Sequence, residues 1–202
     1  MRAALSIRFF CIFIGLLFTI LNGCQYGSSP KLTVEIQPFD DMPEAYLKSV
    51  HKALEKVVGP IYIRKPISLP KTALNHNKNR YRADSILKYL TQINNTSTFL
   101  IGLTASDIST TKNGIQDWGV MGLGYCPGSV CVASSYRLKN TNKAEQLFKV
   151  AIHELGHTQG LPHCKEKTCF TRDANGKNPT DEEKAFCEAC KKYLLKRGLK
   201  LN

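Results

Sequence analysis

The residues best suited to chemistry lie in one short stretch, His153-Glu154-Leu155-Gly156-His157, followed by Gly160 and His163. Histidines at i and i+4 share one helix face and stand about 6 Å apart along the axis. Both imidazoles can therefore reach one tetrahedral zinc at about 2.0–2.1 Å. Glu154 points off that ligand axis, where it can hydrogen-bond a zinc-bound water and act as its general base. Gly160 is the residue type on which a helix ends most readily, because it tolerates the left-handed conformation. A turn there would swing His163 back as a third ligand. Three neutral ligands leave the metal its full charge and an open position, the arrangement that polarises a carbonyl and acidifies water. Solvent-facing histidines on an amphipathic helix would leave the arrival of Gly160 and His163 unexplained.

Four cysteines follow: Cys164, Cys169, and the pair Cys187 and Cys190. They make a suitable tetrahedral thiolate set for a second, structural zinc, or alternatively two local disulfides. A CxxC disulfide closes a very short loop and stabilises little. The residues beyond Leu161 are few and heavily charged, and segments of that kind need a metal or covalent staple. The short-loop argument favours zinc. Cys126 and Cys131 are a separate case. Separated by Pro-Gly-Ser-Val in a predicted hairpin, they are placed for a disulfide that pins the turn. Nothing ties His51 or His76 to a metal.

Read as one string, HELGHTQGLPHC, then Cys169 and later FCEAC, the sequence resembles the archaemetzincin family of the metzincin zinc metalloproteases. The resemblance implies that His153, His157 and His163 hold a catalytic zinc, that Glu154 is the general base, and that Cys164, Cys169, Cys187 and Cys190 hold a structural zinc. It implies two zinc ions per chain, peptide-bond hydrolysis, and an antiparallel edge strand near Trp118–Tyr125 that pairs with an extended peptide. One position departs from the family pattern. A methionine is expected two residues after the second cysteine, as a hydrophobic floor beneath the metal, and Thr171 stands there. Met1, Met42 and Met121 all lie upstream of the helix.

The elements that must position these groups follow from periodicity. Leu32, Val34 and Ile36 alternate with polar residues as a half-buried strand. Leu47, Val50, Leu54, Val57 and Val58 recur at helical spacing from Pro43, and Gly59-Pro60 stops that helix before Ile61-Tyr62-Ile63. Ala83, Ile86, Leu87, Leu90 and Ile93 mark a second helix, and Phe99–Leu103 a buried strand. Trp118–Tyr125 and Val130–Tyr136 flank Cys126-Pro127-Gly128-Ser129, which has hairpin chemistry. A third helix is expected from Asn142, capped with Glu145, to about Gln159, and a last helix from Thr180, capped with Glu183. The fold class is α+β (mixed α/β). A twisted mixed sheet with helices forms an upper subdomain, residues 31–160, that ends in the active-site helix. Residues 161–202 form a small zinc-stapled C-terminal subdomain.

Arg2 and Arg8 precede an apolar run from Phe9 to Leu21, too short to span a membrane and suited to an export signal. Leu21-Asn22-Gly23-Cys24 resembles the bacterial lipoprotein signal. Residues 1–23 are thus expected to be a signal peptide, Cys24 the lipidated first residue, and 24–30 a tether. The expected location is the bacterial cell envelope, anchored to a membrane. Losing Arg2 and Arg8 lowers the formal charge from +12 to +10. That charge suits a solvated basic surface. No recognised nucleic-acid module is present, so no specific nucleic acid is expected as a partner, and a monomer is expected. The alternative to a peptidase is a non-catalytic, zinc-stabilised envelope binding protein that keeps the metzincin fold.

Overall fold

A computed structural model describes residues 33–75, 79–95 and 97–202. The expected signal, Cys24 and the tether, as well as Leu32 and His76, lie outside these residues. The described elements run β1 (Thr33–Pro38), α1 (Glu44–Val58), β2 (Ile61–Ile63), a 3-10 turn (Lys71–Ala73), β3 (Leu74–Asn75), β4 (Arg80–Arg82) and α2 (Ala83–Ile93). They continue with β5 (Thr98–Thr104), β6 (Ile108–Lys112), β7 (Ile115–Val120), β8 (Gly122–Gly124), β9 (Val130–Ser134), α3 (Lys143–Thr158) and α4 (Glu188–Lys196). The mixed α/β class holds, but the strands form two sheets. One has the order β2-β1-β5-β9-β8 and the other β3-β4-β6-β7.

The period-2 alternation of strand side chains divides the larger sheet between two cores. Val34 and Ile36 of β1, Phe99, Ile101 and Leu103 of β5, and Cys131 and Ala133 of β9 face α1 and α3. Leu100 of β5 and Val130 and Val132 of β9 turn the other way, towards Ile86, Leu87 and Leu90 of α2. β5 is buried along its whole length, as a central strand covered on both faces must be. Each fully buried Leu or Ile contributes roughly 1.5–3 kcal/mol. β1, β2, β5 and β9 run parallel to their neighbours, and only β8, at the edge, is antiparallel. Phe170, Phe186, Leu194 and Leu199, from the chain beyond α3, join the α1–α3 core.

Three local expectations change. The segment Trp118–Tyr125 is not one strand. It breaks at Met121, with β7 pairing β6 in the small sheet and β8 pairing β9 in the large one. β6 and β7 form a hairpin turned by Asn113 and Gly114 at φ 50° and 79°. That dipeptide is itself a hairpin signal. α3 does begin beside Asn142, yet Asn142 sits left-handed at φ 58° with no side-chain cap, and Glu145 pairs with Lys149 at 2.8 Å instead. The last helix starts at Glu188 rather than Thr180. Thr180 donates from both its hydroxyl and its N–H to the Asn178 side-chain oxygen, a local turn that outcompetes helix capping.

Candidate metal centres

α3 delivers His153 and His157 one turn apart, and its end delivers the third histidine. Gly160 adopts φ 80°. Its N–H bonds the His157 carbonyl at 2.8 Å, and the Leu161 N–H bonds the Gly156 carbonyl at 3.2 Å. Leu161 then buries its side chain, which reverses the chain and brings His163 over the helix. The Tyr193 hydroxyl of α4 donates to the Gly160 carbonyl at 3.1 Å and braces the turn.

The three imidazole rings converge, with centroids 4.7, 5.4 and 4.8 Å apart. Each of the two helical rings has one nitrogen spoken for by main chain. His153 Nδ1 lies 2.8 Å from the Phe170 carbonyl, and His157 Nδ1 lies 2.7 Å from the Leu161 carbonyl. Nδ1 therefore carries the proton in each ring. The two Nε2 atoms, 3.0 Å apart, are left with their lone pairs facing one another. Ligands at about 2.0–2.1 Å on a tetrahedral centre stand about 3.3 Å apart, so this spacing suits a shared zinc. Burial, then the His157 and His163 charges, push the His153 pKa down to about 3, against the opposing bond to Phe170. Burial likewise lowers His157, the Leu161 bond opposing. Both rings are thus neutral, the form that ligates. His163 is exposed, and its Nδ1 lies 3.8 Å from the Asp173 carboxylate.

Glu154 is buried. Its carboxylate lies over β8. A Cβ at Gly122 would meet Glu154 Cγ and Oε1 at 2.7 Å, and one at Gly124 would meet the Glu154 carbonyl at 2.9 Å. Only glycine allows this approach between strand and helix. Burial raises the Glu154 carboxyl to about 8. The Gly-Leu-Gly run and Asp173 are site features that the sequence reading missed. Glycine pairs in a short strand are the signal for the first; nothing local marks the second.

The four cysteines also meet. Their sulfurs lie within 4.8 Å of one another, with Cys164 and Cys187 Sγ 3.7 Å apart. Thiolates at about 2.3 Å on a tetrahedral zinc stand about 3.8 Å apart. The Glu166 N–H donates to Cys164 Sγ and the Cys187 N–H to Cys169 Sγ, each at 3.4 Å. Such donors fit sulfurs that carry negative charge. All four cysteines are free, so no local disulfides form. Phe170 stacks edge-on between Phe148 of α3, at 5.5 Å, and Phe186, at 5.3 Å. That wedge fixes the loop whose carbonyl holds His153.

The expected Cys126–Cys131 bridge is absent, both residues being free. Cys131 points into the α1–α3 core from β9, while Cys126 Sγ turns towards the Leu161 carbonyl, 4.0 Å away. The core-facing register of β9 decides this, and burial together with the Glu154 charge raises the Cys131 thiol well above its ordinary range. His51 lies on the surface of α1, bonded to the Ile61 carbonyl. No helix among the described residues is long and apolar enough to cross a membrane.

The sequence model of peptidase family M54 matches residues 36–197. Among curated relatives, the archaemetzincin of Methanocaldococcus jannaschii is 30% identical over 81% of this chain and 93% of its own length. That of Haloquadratum walsbyi is 27% identical over 81% of this chain and 99% of its own. The fold matches the crystal structure of archaemetzincin from Methanopyrus kandleri with a TM-score of 0.72 at 24% identity, covering 85% of this chain and 98% of that one. Archaemetzincin from Archaeoglobus fulgidus, solved in complex with malonate, matches with a TM-score of 0.68 at 23% identity, covering 80% of this chain and 99% of that one. These comparisons do not bear out the expectation of a bacterial lipoprotein. With a family match across both clusters and a donor set suited to zinc in each, the chain belongs to peptidase family M54, the archaemetzincin zinc metallopeptidases.

Proposed function

We propose that the chain hydrolyses peptide bonds at the histidine centre with Glu154 as general base, and that it carries two zinc ions, one there and one on the cysteines. The observation that carries this reading is the pair of imidazoles whose Nε2 atoms are free to share a metal, with Glu154 buried on the same helix and its carboxylate against β8. Zinc on His153, His157 and His163 supplies Lewis acidity, polarising a carbonyl and acidifying water. The protein does the rest. The Phe170 and Leu161 carbonyls hold the imidazoles in one tautomer and orientation. β8 ends its sheet, which leaves an edge on which an extended peptide can pair as an added strand. Glu154 lies against that strand, beside where a paired peptide would run. As the carboxylate, Glu154 takes the proton of the attacking water and returns it to the leaving amine.

The test is Glu154→Gln, assayed on a peptide library alongside metal analysis. Cleavage should fall by about 10²–10⁴-fold, with two zinc ions retained. Undiminished cleavage would remove Glu154 from the mechanism. Export with lipid on Cys24 is proposed from the Phe9–Leu21 run and the cysteine that follows it. Mass spectrometry of the N-terminus from a native host should find diacylglycerol on Cys24; an intact Met1 in the envelope-free fraction would reject it.

A further inference from the structure

Thr171 is fully buried between the two centres. Its hydroxyl lies 3.4 Å from Cys169 Sγ and 3.6 Å from Cys190 Sγ. Its methyl rests on the active-site helix, 3.0 Å from where a Cβ would stand on Gly156. Its carbonyl accepts the Cys164 N–H at 2.8 Å, and the preceding carbonyl, that of Phe170, holds His153. One dipeptide thus touches ligands of both clusters. In addition, His163 and Cys164 are consecutive residues that belong to different clusters.

The hydroxyl answers a specific electrostatic need. Four thiolates around one divalent cation carry a net charge of about −2, and a buried charge of that size needs hydrogen-bond donors. Cys164 and Cys169 each receive a backbone N–H. Cys190 is buried, and besides the other cysteines of the cluster the hydroxyl of Thr171 reaches its sulfur. Valine would fill the same volume and supply no donor.

Building on the two-zinc reading above, we propose that Thr171 is a positioning residue for the cysteine centre: its hydroxyl donates its one proton to the Cys190 thiolate, with Cys169 Sγ also within reach. Through this bond the loop that holds His153 is tied to the cysteine-bound metal. The metal at the cysteines then stabilises the orientation of His153 without touching it.

The test uses the full chain as wild type, Thr171→Val and Thr171→Ser. Cobalt replaces zinc, and the thiolate-to-cobalt absorption reports the cysteine centre alone. Thr171→Val should shift that band and release metal from the cysteines to a chromophoric chelator about tenfold faster, the low end of what loss of a supporting hydrogen bond costs a metal site. Thr171→Ser, which restores the hydroxyl, should bring both readouts to within about twofold of wild type. Identical spectra and release rates for the valine variant and wild type would overturn the proposal. So would a serine variant as impaired as the valine one, because packing alone would then explain the loss. A wild-type chain with no thiolate-to-cobalt band would instead overturn the two-zinc reading, and the proposal with it.

Discussion

The histidine and cysteine clusters sit side by side but are built in opposite ways. The histidine cluster takes two of its ligands from one helix, keeps His163 exposed, and fixes its rings through main-chain carbonyls. The cysteine cluster gathers ligands from a loop and the start of α4, leaves Cys169 and Cys190 buried, and receives N–H and O–H donors at sulfur. Carbonyl acceptors fix the tautomer of imidazoles that burial keeps neutral, whereas donors stabilise anionic thiolates. The first arrangement leaves room for a substrate. The second closes the centre, so that a metal held there would turn its affinity into folding energy.

Breaking one ligand in each cluster should separate them most sharply. Cys169→Ser removes a buried ligand from the element that anchors Phe170, so thermal denaturation should show loss of several kcal/mol or failure to fold. His153→Ala should stay folded, with zinc analysis falling from two ions per chain to one and cleavage lost. Global unfolding of the histidine variant would argue that the two clusters are one structural unit.

A smaller effect tests whether the histidine side depends on its strand. Gly122→Ala places a methyl 2.7 Å from the Glu154 side chain and 2.8 Å from Val150. Overpacking of this kind costs about 1–3 kcal/mol. Steady-state kinetics should show kcat reduced roughly tenfold or more, with zinc content unchanged. An unaltered kcat would mean that Glu154 is not held by β8.

The smallest effect belongs to the cysteine side. Glu183 is buried close to Cys169, and burial raises its carboxyl to about 7, against the lowering influence of Lys149 and Arg172. The same carboxyl in an unfolded chain titrates near about 4.3. Between these values the folded state holds the extra proton, so stability should fall as pH rises through that window and level off above it. Glu183→Gln should flatten this slope in denaturant titrations between about pH 4.5 and 7. An unchanged slope would place the pH dependence elsewhere.

The sites were more legible in the sequence than the fold around them. His153, His157 and His163 could be grouped because helical periodicity and one glycine fix their relation within eleven residues of chain. The cysteines could be grouped because thiolates have few uses at that spacing. The hairpin of β6 and β7 escaped because its second strand is mostly exposed and shows no alternation, leaving only Asn113-Gly114 to announce it. The Cys126–Cys131 bridge failed because strand register, invisible locally, sends Cys131 into the core. Thr171 read as a missing methionine, and its contacts with two sulfurs depend on residues up to nineteen positions away.

The peptide bond between His163 and Cys164 also has a consequence for timing. The active-site helix is synthesised well before Cys187 and Cys190, the last two members of the thiol cluster. If Thr171 ties His153 to that cluster as proposed, an emerging chain holds its zinc-binding helix in hand while the loop above it is still unanchored. Hydrolytic competence would then arrive only with the second metal.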